Sequence, residues 1–254
     1  MSAKVALRLL AVTLLALPLI PVQMAAVRFG WPLAARLPVF FHRRVVRILG
    51  ISIEKRGAID QRRPLLVVAN HVSWLDIPVL GSLAPLSFIA KSEVSGWPVI
   101  SLFARLQRSV FIDRARRART ADATAAIGAR LTAGHAMVLF GEGTTGDGLR
   151  VLPFRSALIG AAREAAAGAG APCLVQPLSI RYVRRSGLPI GREAMPRIAW
   201  TGDMDLAPHL AAILAGGPID VVVSLGEAVP AAADVDRKAL TRQMETAVRS
   251  LRRA

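Results

Sequence analysis

From residue 50 onward, short apolar runs alternate with longer amphipathic ones, and this alternation limits the folds open to the chain. The apolar runs 65–69, 86–90, 109–113, 136–140, 174–181 and 219–225 have strand length, and wholly apolar runs of that length suit strands buried on both faces. Between them, 74–83, 97–106, 117–133, 155–167, 206–214 and 235–253 carry apolar residues at helical spacing. The alternation predicts an α/β sandwich: a mostly parallel or mixed central sheet flanked by helices. The Gly-rich clusters at 168–170 and 216–218 read as loops inside one domain.

The first 49 residues have a different character. Residues 9–27 form a run of 19 without a charge, close to the ~20 that span a bilayer. Pro18 and Pro21 interrupt it, and Lys4, Arg8, Arg28 and Arg36 flank both ends without a clear asymmetry. That pattern predicts a broken or re-entrant apolar segment rather than a simple crossing. A signal peptide is the rival reading, but no small-x-small cleavage site stands out. In 37–49, Leu37, Phe41, Val45 and Ile48 fall at helical spacing, with Arg36, Arg43 and Arg47 on another side. Such a helix suits the headgroup layer. The chain thus divides into a membrane-associating segment, 1–49, and one α/β domain, 50–254.

The charge balance points the same way. With 33 Lys and Arg against 17 Asp and Glu, the net charge of +16 calls for an anionic partner. Aromatics at 5% and a single Tyr argue against a base-stacking nucleic-acid platform. A mean hydropathy of +0.44 points to membrane. The lone Cys173 excludes an internal disulfide.

Three stretches carry chemistry. The first is Asn70-His71-Val72-Ser73-Trp74-Leu75-Asp76, after the apolar run 65–69. Ser73 reads as a helix N-cap, with Asp76 in the capping-box position. Five residues rotate a helix by about 140° off a shared face, so His71 and Asp76 meet only if His71 lies in the loop before the helix. That arrangement suits a base and its orienting carboxylate, though a capping aspartate beside an ordinary loop histidine fits the same letters. The second is Arg108-Ser109-Val110-Phe111-Ile112-Asp113-Arg114, where a strand delivers Arg114 to its tip, a residue suited to phosphate. The crowding of Arg116, Arg117 and Arg119 makes a solvated basic turn the plainer alternative. The third is Phe140-Gly141-Glu142-Gly143-Thr144-Thr145, a Gly-rich turn after a buried strand. Nucleophilic and metal chemistry are poorly supported: there is no Gly-x-Ser-x-Gly elbow, no His-Glu-x-x-His, and only four His.

These blocks, in this order, resemble the glycerolipid and lysophospholipid acyltransferase family, whose signature is Asn-His-x-x-x-x-Asp followed by Phe-Pro-Glu-Gly-Thr. The likeness runs from Pro64 to Tyr182 and includes Val175-Gln176-Pro177-Leu178-Ser179-Ile180, similar to the family's Val-Pro-Val-x-Ile block. Gly141 departs from the pattern, standing where the family usually has Pro. The resemblance implies a membrane-bound O-acyltransferase. His71 and Asp76 are then catalytic, and Arg114, Glu142, Gly143 and Thr144 bind the acceptor. It implies no cofactor beyond an acyl thioester co-substrate on acyl carrier protein or coenzyme A, no metal and no nucleic acid. Lys91, after the second strand, can meet an anionic substrate group, though a surface Lys fits as well. The implied acceptor is a lysolipid, and the implied location is the bacterial inner membrane with the site facing the cytoplasm. Gly143-Thr144-Thr145-Gly146-Asp147-Gly148 and Leu152-Pro153-Phe154-Arg155-Ser156 are similar to bacterial lyso-ornithine lipid acyltransferases. Lyso-ornithine lipid and 1-acyl-glycerol-3-phosphate both stay open as acceptors. A non-catalytic basic membrane-surface protein and a thioester hydrolase using the same His–Asp pair are the alternatives.

Overall fold

A computed structural model describes residues 2–112, 118–156, 159–201 and 204–253. Two helices open the chain: α1 (Ala3–Arg28) and α2 (Leu33–Leu49), the latter closed by Gly50 at φ 73°. The alternating part follows as β1 (Ile51–Arg56), β2 (Leu65–Ala69), α3 (Asp76–Gly81), β3 (Leu86–Lys91), α4 (Pro98–Leu106), β4 (Val110–Ile112), α5 (Ala118–Thr132) and β5 (Ala136–Phe140). Then come α6 (Ala161–Ala169), β6 (Cys173–Arg185), β7 (Leu188–Pro189), α7 (Leu206–Ala215), β8 (Ile219–Leu225), β9 (Val229–Ala231) and α8 (Arg237–Arg253).

The sheet runs β1-β8-β6-β2-β5-β3-β4, with β7 and β9 also pairing with β6. Pairing from β6 through β2, β5 and β3 to β4 is parallel, whereas β8 joins β6 antiparallel, so the sheet is mixed. In the centre, Val67 stands between Val138 of β5 and Gln176 of β6. Every residue of β2 and β5 is buried, which is why these strands read as unbroken apolar runs. Alternate β2 residues feed two cores: Leu65, Val67 and Ala69 face α1, α2, α3 and α7, and Leu66 and Val68 face α5, α6 and α8.

Two departures from the sequence pattern have local causes. β1 escapes it because this edge strand buries Ile51 alone and ends in Glu54, Lys55 and Arg56. The helix expected from residue 155 begins only at Ala161, because the preceding backbone bonds elsewhere: Phe154 N–H donates to Glu245 and Arg155 N–H to Gly141 O.

The N-terminal segment also differs. α1 is one continuous 26-residue helix with both prolines inside it, not a broken segment. It is tied to the domain at both ends. Lys4 and Arg8 donate to the Gly216 carbonyl after α7, and Gln23 donates to Ala34 O and to Leu106 O at the end of α4. The tethered stretch from Lys4 to Gln23 is about 28 Å long at ~1.5 Å per residue, so α1 lies along the domain. Leu7, Leu10, Leu14, Leu17 and Met24 remain exposed on it, three, four or seven residues apart. The apolar face of α2 turns inward instead, with Val45, Val46 and Leu49 in the core, because α3 and β1 cover it.

Candidate active site

The site forms where β2 and β5 end side by side. Asn70 extends the β2–β6 ladder one step: its side-chain amide donates to Ile180 O at 3.0 Å, and its oxygen accepts from Ile180 N–H at 2.8 Å. That clamp fixes the backbone entering His71. The His71 N–H donates to Glu142 Oε2 at 2.8 Å, and its carbonyl accepts from Gly146 N–H at 2.7 Å. The imidazole lies flat on Phe140, with centroids 3.8 Å apart and planes 11° from parallel.

His71 and Asp76 meet as the five-residue step requires. His71 Nδ1 lies 2.7 Å from Asp76 Oδ2. A carboxylate only accepts, so Nδ1 carries the proton and Nε2 presents its lone pair. Nε2 has no hydrogen-bond partner among the described residues, and the side chain keeps 17% of its surface exposed. Asp76 is 0% exposed. Its Oδ2 also accepts from the N–H groups of Val72 and Ser73, at 2.7 and 3.1 Å, and its Oδ1 accepts from Tyr182 O–H at 2.7 Å. Four donors thus satisfy this buried charge.

The capping expectation is half met. Asp76 reaches back to the turn N–H groups as a capping acid does, but Ser73 Oγ has no partner, and the residue before α3 is Leu75. Because Asp76 occupies the Val72 and Ser73 N–H groups, they are not free for a substrate oxyanion.

Glu142 is turned inward. With Oε2 on His71 N–H, its Oε1 accepts from Leu152 N–H at 2.8 Å, and the residue is 3% exposed. It therefore ties the β2 loop, the β5 loop and the 151–156 segment together instead of offering a free carboxylate. Burial, helped by the Asp76 charge, pushes its carboxyl up to about 7 against the pull of those two N–H groups. Gly143, at φ 72°, takes a backbone conformation that favours glycine, and Thr144 is half-buried beside it. Gly141 also has a local reason: its N–H donates to Ala69 O, and a Cβ there would lie 2.5 Å from the Phe154 ring. Proline offers no N–H and needs that space.

Arg114 lies outside the described residues, as does the side chain of Lys91. Cys173 is buried, and burial pushes its thiol up to about 12, which removes it as a thiolate nucleophile at neutral pH.

Two members of this constellation had no motif to announce them. Tyr182 sits on the same face of β6 as Leu178 and Ile180, and burial, with Asp76 beside it, holds its hydroxyl protonated as a donor. Its uniqueness as the chain's one Tyr, on an apolar strand face, is the available signal. Arg252, in the last turn of α8, donates to Ile180 O and to Gly148 O, so the C-terminal helix pins the loop after Glu142. Nothing local in the sequence separates it from the other α8 arginines.

Together these features present one polarised imidazole nitrogen at a sheet edge, able to take a proton from a hydroxyl.

Comparison with known proteins agrees with this geometry. The acyltransferase family profile matches residues 50–181. The chain is 52% identical to a lyso-ornithine lipid O-acyltransferase of Brucella abortus over 95% of its length and 91% of the relative's. It is 34% identical to a 1-acyl-sn-glycerol-3-phosphate acyltransferase of Neisseria meningitidis, over 82% of this chain and 78% of that one. The fold matches a crystal structure of the 1-acyl-sn-glycerophosphate acyltransferase PlsC from Thermotoga maritima with a TM-score of 0.62 at 23% identity, covering 85% of this chain and 77% of that one. With matched family blocks on one sheet edge and a relative aligned almost end to end, the chain belongs to the acyltransferase family and is an acyltransferase.

Proposed function

We propose that the protein transfers a fatty acyl chain from an acyl thioester to the hydroxyl of a lysolipid, with lyso-ornithine lipid as the acceptor. The observation that carries the reading is His71 Nε2, free of hydrogen-bond partners among the described residues, with its ring oriented through Nδ1 by the buried Asp76. In this reading Nε2 takes the proton of the acceptor hydroxyl while the oxygen attacks the thioester carbonyl. The C–S bond breaks, and the departing thiolate receives that proton from the imidazolium. A thiolate leaves readily, so the enzyme needs no covalent intermediate, in keeping with the inert Cys173. Arg114, Gly143 and Thr144 hold the acceptor head, and Glu142 shapes the loop that carries Gly143 and Thr144. The choice of acceptor rests on the relatives: those of Brucella abortus, Rhizobium meliloti and Pseudomonas aeruginosa, 52%, 41% and 36% identical, are named lyso-ornithine lipid O-acyltransferases.

The test is direct. Purified protein is incubated with radiolabelled acyl thioester alone, with lyso-ornithine lipid and with 1-acyl-glycerol-3-phosphate. Label is expected on the lyso-ornithine lipid at the higher kcat/KM. Release of free fatty acid at the same rate with or without acceptor would make the protein a hydrolase. No turnover would return it to a lipid-binding role.

The reading places the enzyme on the cytoplasmic face of a bacterial inner membrane. α1 is the one helix among the described residues long and apolar enough to cross a bilayer, and little of it is buried in the protein. Its ties to the domain at both ends support a helix lying in one leaflet along the interface, where both greasy substrates reside. Arg43, Arg44 and Arg47 of the neighbouring α2 suit anionic headgroups. Replacing Leu7, Leu10, Leu14 and Leu17 together by Ser is expected to lower vesicle partitioning roughly a thousandfold, at about 1 kcal/mol for each leucine withdrawn from the bilayer. The melting temperature should hold, because these side chains are exposed. Unchanged partitioning in flotation assays would move the anchor elsewhere.

A further inference from the structure

The sheet divides the molecule into two outward faces of different chemistry. α1 and α2 pack on the core fed by Leu65, Val67 and Ala69, and α1 carries the exposed apolar stripe on that side. α8 packs on the opposite core through Leu240, Met244 and Val248. Its outer surface is a line of cations. Lys238, Arg242, Arg249 and Arg253 fall within about 60° of one another around the helix axis at ~3.6 residues per turn. Lys238, Arg242 and Arg253 are exposed, and Arg249 is half-buried in an ion pair with Glu245. The last turn of the same helix sends Arg252 into the Gly148 loop, so the stripe runs up to the rim of the site. Beyond that rim, the exposed Arg150 and Arg155 extend the charge on a segment joined to α8 through Glu245.

We infer that the outer face of α8 is a docking surface for an acidic acyl carrier protein, which presents its pantetheine-linked acyl thioester at the His71 edge. This rests on the acyl-transfer reading above. A basic stripe in this family of substrates has two potential anionic partners, the bilayer and a soluble acidic protein, and position decides between them. The apolar stripe of α1 commits the opposite face of the sheet to lipid, which turns α8 toward the aqueous side. A cationic surface there raises the encounter rate with an acidic protein and fixes its register, and its effect weakens with salt. Asp234 and Asp236 at the start of α8 offset only part of the charge of Lys238 and Arg242, so the whole stripe stays attractive and is strongest toward the site.

The experiment compares the wild type with the triple variant Lys238→Glu/Arg242→Glu/Arg253→Glu, made from exposed residues that touch nothing in the site. Transfer is measured from acyl carrier protein thioester and from the small uncharged S-acyl pantetheine. The KM for the carrier-borne thioester is expected to rise roughly tenfold or more, with kcat held. The values for S-acyl pantetheine should stay at wild type. Equal losses with both donors, or none with either, would overturn the docking surface. So would a variant that loses binding to anionic vesicles yet keeps its affinity for the carrier. If the wild type transfers from neither thioester, the acyl-transfer reading fails by itself. Calorimetric titration of both proteins with the acidic carrier then still decides the surface: salt-sensitive binding lost in the triple variant supports it, and no binding by the wild type rejects it.

Discussion

His71→Ala is expected to reduce acyl transfer below detection while the protein stays folded. Removal of a general base typically costs 10²–10⁴-fold, about 3–5 kcal/mol of transition-state stabilisation. The fold should survive because the bonds that hold this loop are made by the main chain of residue 71. Its N–H on Glu142 and its carbonyl on Gly146 N–H persist in alanine. What goes is the ring, its stacking on Phe140 and its bond to Asp76. The measurements are single-turnover transfer from a labelled thioester and a melting curve on the same preparation. Near-wild-type transfer would sink the mechanism, whatever the family membership.

Asp76→Asn is the second large effect, and its informative feature is the separation of activity from stability. Three donors converge on Oδ2: His71 Nδ1–H, Val72 N–H and Ser73 N–H. An asparagine that places its amide oxygen there keeps all three. Its NH2 then takes the Oδ1 position, where the Tyr182 hydroxyl rotates to accept instead of donate. The histidine tautomer and the turn are therefore retained, and the stability loss should be about 1 kcal/mol, the scale of one altered hydrogen bond. The negative charge is lost, and with it the stabilisation of the imidazolium that forms as the hydroxyl proton moves. A rate loss of about 10²–10⁴-fold is expected, the scale seen when the orienting carboxylate of a histidine base is neutralised. If Asp76 served only to cap α3, turnover in the folded variant would match the wild type. Parallel melting and turnover measurements distinguish the two outcomes.

The sequence by itself determined the layered α/β architecture and most of its elements, and it limited where His71 and Asp76 could meet. Periodicity records which residues lose contact with water, and the buried central strands, all apolar along β2 and β5, left a clear record. The five-residue step allows the pair to meet only across a loop and a helix start, which is where the structure has them. The tertiary structure alone decided the rest. Tyr182 reaches Asp76 across 106 positions, and Arg252 reaches Gly148 across 104. Periodicity carries no trace of which distant polar groups pair, because pairing depends on strand order and helix packing. Glu142 read as an acceptor ligand, yet the two backbone N–H groups beside it at the ends of converging segments draw its carboxylate inward. Pro18 and Pro21 read as a break in α1, but the helix runs through both prolines and is tied to the domain near both ends.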